Sequence, residues 1–401
     1  MTLTTPATVL NRLRLNRDAD RRLSGGHLWI YSNEIAAGQT PLRSFAPGEQ
    51  VIVESAHGKV LGVAMMSPQS LICARMVSEE NVVLDAALLK TRLQRALALR
   101  QRCYQKPFYR LVYGDSDFLS GLIVDRFGHY FSVQLNSPGM DKLAGVIVDV
   151  LDELFKPRGI LLKNDSSARE AEGLDKSVQV AKGDIPDLVE IEENNTSIMT
   201  SLKTGQKTGW FYDHQRSRRD MQALVKDKTV LDVFSYVGSW GIQALQAGAT
   251  QVTCVDTSDQ AIQIAQQNAH MNQARTRFTT HCGTAIDVLK QMVAERKSFD
   301  VIVLDPPAFI KKIKDKIKGT EAYHHHNQLA LRLLKPEGIL ISASCSMHLA
   351  REELVNVIRV AGNKTHRSLQ IFQICGQGPD HPIHPAIPET EYLKTVFVRA
   401  S

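Results

Sequence analysis

Two short segments in the last quarter of the chain carry residue types that do chemistry. Asp305-Pro306-Pro307-Ala308-Phe309 follows the apolar run FDVIVL, and Ser344-Cys345-Ser346 follows GILISA. Paired prolines stiffen a turn and remove backbone donors, so a carboxylate and an aromatic ring can be held against a planar base. Motifs of this kind also serve the methylation of exocyclic amino groups, so the turn points to a base without choosing the atom. Cys345 narrows the choice. Carbon 5 of a pyrimidine is a poor nucleophile, but addition of a thiolate at carbon 6 makes it an enamine that can attack a sulfonium methyl group. Cysteine supplies some thiolate at neutral pH and leaves readily afterwards. Of the six cysteines, Cys345 is bracketed by hydroxyl residues just past a strand-like run, whereas Cys254 lies within a strand and Cys73 and Cys375 lie in apolar stretches. A base must later take the proton from carbon 5. Asp305, or a water that it orients, is the candidate; the same carboxylate suits holding the pyrimidine by its ring nitrogen and amino group.

A second constellation lies upstream. TVLDVF leads into FSYVGSWG, where Gly238 and Gly241 permit a tight turn and close backbone approach at a helix start. The next strand ends in Asp256, followed by Thr257 and Ser258, about where an acidic side chain accepts from the hydroxyls of an adenosine ribose. The loop lacks the G-x-G-x-x-G that admits a pyrophosphate. Bulky Phe234 and Tyr236, flanking Ser235, favour a smaller, cationic ligand, and Asp232 at the strand end is then an asset beside an amino group or sulfonium. S-adenosylmethionine meets that description. Its expected contacts are Asp232, Phe234, Ser235, Tyr236, Gly238, Asp256, Thr257, Ser258, Asp305 and Pro306.

These residues need a scaffold, and hydropathy supplies one. Beyond Gly209 the pattern is strict: nearly all-apolar strands (TVLDVF, QVTCVD, RFTTHC, FDVIVLD, EGILISA) alternate with helical segments and end in two closing strands. Such runs indicate an α/β domain with a parallel sheet covered on both faces. From about Gly48, alternating residues punctuated by Pro47, Gly48, Gly58 and Gly62 predict a small β domain. Residues 83 to 102 predict a long amphipathic helix. Residues 109 to 193 predict an α+β middle domain with strand-like GLIVDRFGHYFSVQL and RGILLKN, a helix around MDKLAGVIVDVLDELF, and an acidic close, DLVEIEENN. The expected domains are 1–78, 79–195 and 196–401.

Composition sets the bounds. At 401 residues, with 43% hydrophobic and 22% charged residues, the chain should fold throughout as more than one domain. The formal charge of +6 suits a polyanionic partner. The cysteines are scattered without a C-x-x-C pair, which argues against structural zinc and a disulfide framework. No run approaches the about 18 apolar residues that span a bilayer, and the start has no apolar signal core, so cytoplasmic residence is expected. The triplet His324 to His326 falls inside a helical pattern and receives neither a metal nor a role.

With GQKTGWFYDHQR at 205–216, VLDVFSYVGSWG at 230–241, FDVIVLDPPAF at 299–309 and SASCS at 342–346 in order, the chain resembles the bacterial cytosine-C5 methyltransferases of large-subunit (23S) ribosomal RNA, the RlmI type. The likeness runs nearly the whole length. GHLWIYSNEI, PGEQVIVES and SPQSLICAR are similar to that family's N-terminal PUA domain, an RNA-binding β-barrel; RLVYGDSDFLSGLIVDRFG resembles the start of its middle domain, and DHPIHPAIPETEYLK its closing segment near the target base. The resemblance implies a Rossmann-like methyltransferase domain of seven mostly parallel strands with the last antiparallel, S-adenosylmethionine as methyl donor, and Cys345 as nucleophile. Related RNA enzymes carry a second cysteine after strand four; none stands beside Ala308, consistent with a single-cysteine mechanism. An acidic residue commonly follows strand three to meet the adenine amino group, and here Cys282-Gly283-Thr284 stands instead, so Thr284 or a backbone group must substitute.

The polyanion has candidate contacts too. Lys311, Lys312 and Lys314, with Lys316 and Lys318, follow the DPPAF turn, and Lys207 and Arg216 lie in the GQKTGWFYDHQR segment, where they suit either the cofactor's carboxylate or the RNA backbone; with Phe309 they are the expected RNA-binding residues. A homodimer is compatible with the sequence. Three rival readings remain: an N6-adenine or N2-guanine RNA methyltransferase using DPPAF, a noncatalytic RNA-binding assembly factor, and an NAD-dependent oxidoreductase, which the missing glycine fingerprint disfavours.

Overall fold

Alternating and all-apolar strand patterns each require a different cover, and the chain provides both. The computed structural model describes residues 10–401, which divide into two compact units. The first holds the described residues to Asp187 together with Leu202–Gly209 and Asp380–Thr390; the second holds Leu188–Ser201, Trp210–Pro379 and Glu391–Ser401.

The first unit opens with β1 (Arg12–Arg14), α1 (Arg21–Ser24), β2 (Trp29–Tyr31), β3 (Gln50–Glu54), β4 (Val60–Met66) and β5 (Ile72–Ser78), paired in the order β1-β3-β4-β5-β2. Ile30, Val51, Val53, Ala64 and Met66 fill the interior of this sheet. The predicted long helix is α2 (Ala86–Cys103), started by the Asp85 carboxylate, which accepts from the Leu88 N–H at 2.9 Å. A second sheet follows: β6 (Phe108–Tyr113), β7 (Leu122–Phe127), β8 (Tyr130–Leu135), α3 (Pro138–Lys142), α4 (Ala144–Phe155), β9 (Gly159–Asn164), α5 (Ser167–Ala171) and β10 (Ser177–Gly183), ordered β10-β9-β8-β7-β6. GLIVDRFGHYFSVQL is thus a hairpin rather than one run, turning at Gly128 with φ 64°. The helix predicted around residue 147 is two helices, broken at Leu143.

The second unit begins with β11 (Val189–Glu193) and β12 (Thr196–Thr200), a hairpin whose two turn residues, Asn194 and Asn195, both take positive φ (51° and 59°). Asparagine tolerates that conformation, and a primed turn matches strand twist. The acidic run expected to close the middle domain therefore starts the next unit. Then come α6 (Gln215–Gln222), β13 (Thr229–Val233), α7 (Ser239–Gln246), β14 (Gln251–Asp256), α8 (Asp259–Met271), β15 (Phe278–Cys282), α9 (Ala285–Ala294), β16 (Phe299–Leu304), α10 (Lys316–Leu333), β17 (Leu334–Ser344), α11 (Arg351–Thr365), β18 (Leu369–Cys375) and β19 (Lys394–Ala400). The sheet order is β15-β14-β13-β16-β17-β19-β18, parallel except for β19, which runs antiparallel to β17 and β18. The order reverses between β13 and β16, opening a crevice at the carboxyl edge. This is the parallel sheet that the apolar runs predicted, in the Rossmann-like form that the resemblance implied.

One buried ion pair ties the hairpin to this sheet. The Glu193 carboxylate accepts from Arg218 (2.5 and 2.9 Å), Trp210 Nε1 (3.0 Å) and Gln243 (2.8 Å). Arg218 is fully buried and its guanidinium lies 4.9 Å from the centre of the Trp210 ring. Glu193→Ala leaves that cation buried without its anion, a loss of about 3–5 kcal/mol. Urea unfolding followed by circular dichroism should show it as a lower midpoint.

Candidate active site

Parallel registry brings the chemistry to one edge. Val233 pairs with both Val255 and Leu304, and Leu304 pairs with Ser342, so the strand ends deliver Asp232, Asp256, Asp305 and the Ser344–Ser346 loop side by side. After β13 the chain turns through Phe234 and Tyr236, both at positive φ (67° and 51°), which bulky residues seldom adopt. The turn is held by Phe234 N–H and Ser235 N–H donating to Val255 O (2.9 and 3.0 Å) and by Tyr236 N–H donating to Asp256 Oδ2 (2.9 Å). A Cβ on Gly241 would stand 2.7 Å from Cys254 Sγ, so only glycine lets α7 approach β14 this closely.

The three acids differ in what holds them. Asp232 is fully buried; its Oδ2 accepts from Gly241 N–H at 2.9 Å, while Oδ1 has no hydrogen-bond partner. Burial pushes its carboxyl up to about 7, the Gly241 N–H opposing and the charges of Asp305 and Asp256 reinforcing the shift. Asp256 is half-buried, accepting from Tyr236 N–H and, through Oδ1, from Ser258 N–H at 2.9 Å; each oxygen keeps a further lone pair. Asp305 accepts from His214 Nε2 on Oδ1 and from Trp240 Nε1 on Oδ2, each at 3.0 Å. Burial would raise the Asp305 carboxyl, but the neighbouring His214 and these two hydrogen bonds hold it below the usual carboxylate range.

The other expected residues separate into those that face this edge and those that build it. Ser258 caps α8 and Thr284 caps α9, where its hydroxyl accepts from Asp287 N–H and donates to Asp287 Oδ2 (2.6 Å). Thr284 is thus engaged in the helix start, and its partner Asp287 is an exposed acid at the same end of the sheet. Tyr236 packs inward, its ring 5.7 Å from that of Phe211. Thr257 is exposed. Phe309 is half-buried in an aromatic group with Phe234, Tyr323 and His326, ring centres 6.2, 4.8 and 5.1 Å away. His326, to which the sequence assigned nothing, is stacked on Phe309 at 26°. Lys311, Lys312 and Lys314 are exposed, as are Lys207 of the first unit and Arg216 of the second; Lys316 is drawn to Glu353 at 2.6 Å.

Cys345 is half-buried, with its sulfur 4.0 Å from Pro306 O in the DPPAF turn. Its loop is braced by the buried Tyr323 hydroxyl, which bonds Ser344 Oγ (2.8 Å) and Ser346 Oγ (2.9 Å). The thiol and the proline-stiffened turn therefore stand at the same sheet edge as the acids. Buried carboxylates with spare acceptor capacity, including the partnerless Asp232 Oδ1, suit a small cation rather than a pyrophosphate.

A sheet of this order with acids ending its first two strands is that of the Rossmann-like methyltransferases, and comparison with known proteins agrees. A family described as PUA-like domain matches residues 13–79, and one described as Conserved hypothetical protein 95 matches residues 218–365. Ribosomal RNA large subunit methyltransferase I of Cronobacter sakazakii is 33% identical over 392 residues, covering 96% of this chain and 98% of that protein; the Pseudoalteromonas atlantica protein of the same name is 34% identical over 97% and 99%. The chain belongs to the ribosomal RNA large subunit methyltransferase I family. Among solved structures, a Streptococcus mutans protein classed as a SAM-dependent methyltransferase superposes with a TM-score of 0.82 at 19% identity, over 97% of this chain and 100% of that one. A methyltransferase structure bearing SAH superposes at 0.83, again at 19% identity over 97% and 100%.

Asp232 supports a pH prediction. A carboxyl that titrates higher folded than unfolded contributes most at low pH and loses that contribution as pH rises through the folded value, here about 7. Asp232→Asn keeps an acceptor for Gly241 and removes the ionisation. Its thermal midpoint should gain on the parent protein between pH 5 and pH 7.5 and hold a constant lead above, as read by circular dichroism melts.

Proposed function

We propose that this chain forms 5-methylcytosine in 23S ribosomal RNA through a covalent adduct of Cys345 with carbon 6 of a flipped-out cytosine. The observation that carries this reading is the half-buried Cys345 sulfur 4.0 Å from Pro306 O, on the crevice that Asp305 enters. Bound S-adenosylmethionine would supply an electrophilic methyl group. Asp232, the loop Phe234–Ser235–Tyr236–Gly238, and Asp256 with Thr257 and Ser258 are the residues to hold it, with Pro306 alongside. In the Thr284 region we assign the adenine amino group to Asp287.

The chain's own residues do the rest. Cys345 Sγ attacks carbon 6, and the electron pair of the 5,6 double bond moves toward carbon 5, making it nucleophilic. Asp305 already accepts from His214 and Trp240 and sits below the ordinary carboxylate range, which makes it a weak proton acceptor and a strong orienting acceptor. We assign it to the cytosine amino group and to ordering the water that takes the carbon 5 proton, after which the Sγ–C6 bond breaks and the double bond returns. Flipping costs roughly a few kcal/mol, least for a base already unpaired. We assign Phe309 to the base or its neighbour, and Lys311, Lys312, Lys314, Lys207 and Arg216 to phosphates.

No helix among the described residues is long and apolar enough to cross a membrane; the cytoplasm, where ribosomal RNA is made in bacteria, is the proposed location. Whether two copies associate is read by light scattering.

Cys345→Ala should abolish carbon 5 methylation, at least about a thousandfold in turnover, with S-adenosylmethionine binding by calorimetry within threefold of the parent protein. Nucleoside mass spectrometry and bisulfite mapping of 23S RNA provide the readout. Full turnover in this variant, or methyl groups on adenine or guanine amino nitrogens, overturns the assignment. Neutralising Lys311, Lys312 and Lys314 together should weaken RNA binding and flatten its salt dependence by about two to three in the log–log slope.

A further inference from the structure

Lys394 is the titratable group beside this crevice that the reaction above leaves unused. It is only 6% exposed, and ammonium groups are seldom buried without a counter-charge. Registry places it directly opposite Ser344 in the antiparallel β17/β19 pair. From there its Nζ reaches past the strand end to donate to Ser346 O at 2.7 Å and to Tyr392 O at 2.8 Å. The lysine thus starts beside the residue before Cys345 and ends its side chain on the carbonyl of the residue after it. Both acceptors are neutral carbonyls, which solvate the charge without cancelling it.

The other charged groups acting on Lys394 are already committed, as are Asp305 and Tyr323 nearby. Glu353 of α11 pairs with Lys316 at 2.6 Å, and Arg351 pairs with Glu391 at 2.8 Å. Asp305 is held by His214 and Trp240. Tyr323 of α10 spends its hydroxyl on Ser344 and Ser346, and burial keeps it in the neutral form. Lys394 is a buried cation bonded directly to the sulfur's loop.

We propose that Lys394 is a positioning residue that holds Cys345 as the thiolate, its buried ammonium serving as the counter-charge to the sulfur while its two carbonyl bonds fix the loop. In the resting protein Cys345 Sγ–H gives its proton to bulk water, the electron pair stays on sulfur, and Lys394 keeps all three of its protons. The electrostatics agree. Burial presses the Lys394 ammonium down to about 8, and the field of Cys345 is the largest influence raising it, as expected of two groups that ionise together.

The inference rests on reading Cys345 as the nucleophile, yet its test needs neither cofactor nor RNA. Iodoacetamide alkylation of the intact protein is followed across pH by mass spectrometry of the Cys345 peptide, in the parent protein, K394M and K394R. The parent should react with a midpoint at least one pH unit below the about 8.5 of an ordinary cysteine. K394M should raise that midpoint by one unit or more, slowing alkylation at pH 7 about tenfold, and K394R should stay within threefold of the parent. A lysine that only braced the loop would lower the melting temperature of K394M and leave the midpoint where it was; that result overturns the proposal. So does a parent midpoint at or above 8.5, which decides the matter even if K394M fails to fold. Cys345→Ala methylation tests the nucleophile separately: a low thiol midpoint with methylation intact in C345A sinks the function and not the pairing.

Discussion

Three carboxylates crowd one edge of a sheet, and much of the second unit is arranged to make that tolerable. Asp232, Asp256 and Asp305 feel one another's charge strongly enough that Asp232 is pushed up to about 7, burial being the main cause and its two neighbours adding to it. Like charges this close disfavour ionisation unless donors or cations intervene. The donors come from every direction: two backbone N–H groups for Asp256, the Gly241 N–H for Asp232, an imidazole and an indole for Asp305. Positive φ at Phe234 and Tyr236 is part of the same arrangement, since only that turn aims the Tyr236 N–H at Asp256. A cationic ligand completes the balance, whereas a phosphate would worsen it.

Sulfur stands at the other wall under different rules. Its loop is braced through hydroxyls: Tyr323 between two serines, and Ile310 N–H donating to Ser346 Oγ at 3.2 Å. Tyr323 belongs to the aromatic group that seats Phe309, so the DPPAF turn and the cysteine loop share one support on α10. A displaced α10 would misplace both reactive walls together. His326 has its explanation here as well: it is a stacking partner for Phe309 within that support.

The strands and the acids at their ends were legible because both signals are local. An all-apolar run of five or six residues closing in Asp announces a buried parallel strand and its edge, which is how Asp232, Asp256, Asp305 and Cys345 could be named together. What escaped was partnership. Glu193 sits in EIEENN, which reads as a solvated acidic run, and only the positive-φ turn at Asn194-Asn195 folds it inward onto Arg218. His214, Trp240, Tyr323 and Lys394 lie about 20 to 90 positions from the groups they serve, distances over which periodicity carries no information. Thr284, expected at the ligand by its type, stands before α9 and caps it, a role that its position announces.

The excursion of 380–390 out of the second unit has a bearing on biogenesis. Asp380 is fully buried in the first unit, its Oδ2 accepting from Arg110 N–H at 2.9 Å and its carbonyl from Arg100 at 2.8 Å. Arg100 is itself wholly enclosed. A nascent chain that has emitted every residue of the first two sheets therefore still holds an arginine lacking part of its enclosure, and keeps it so until Asp380 has also been made. Early domains ordinarily fold before later ones are translated. Here completion of the N-terminal unit waits on residues 380–390, which follow most of the second unit in the chain, so a product lacking them is defective in the first unit as well.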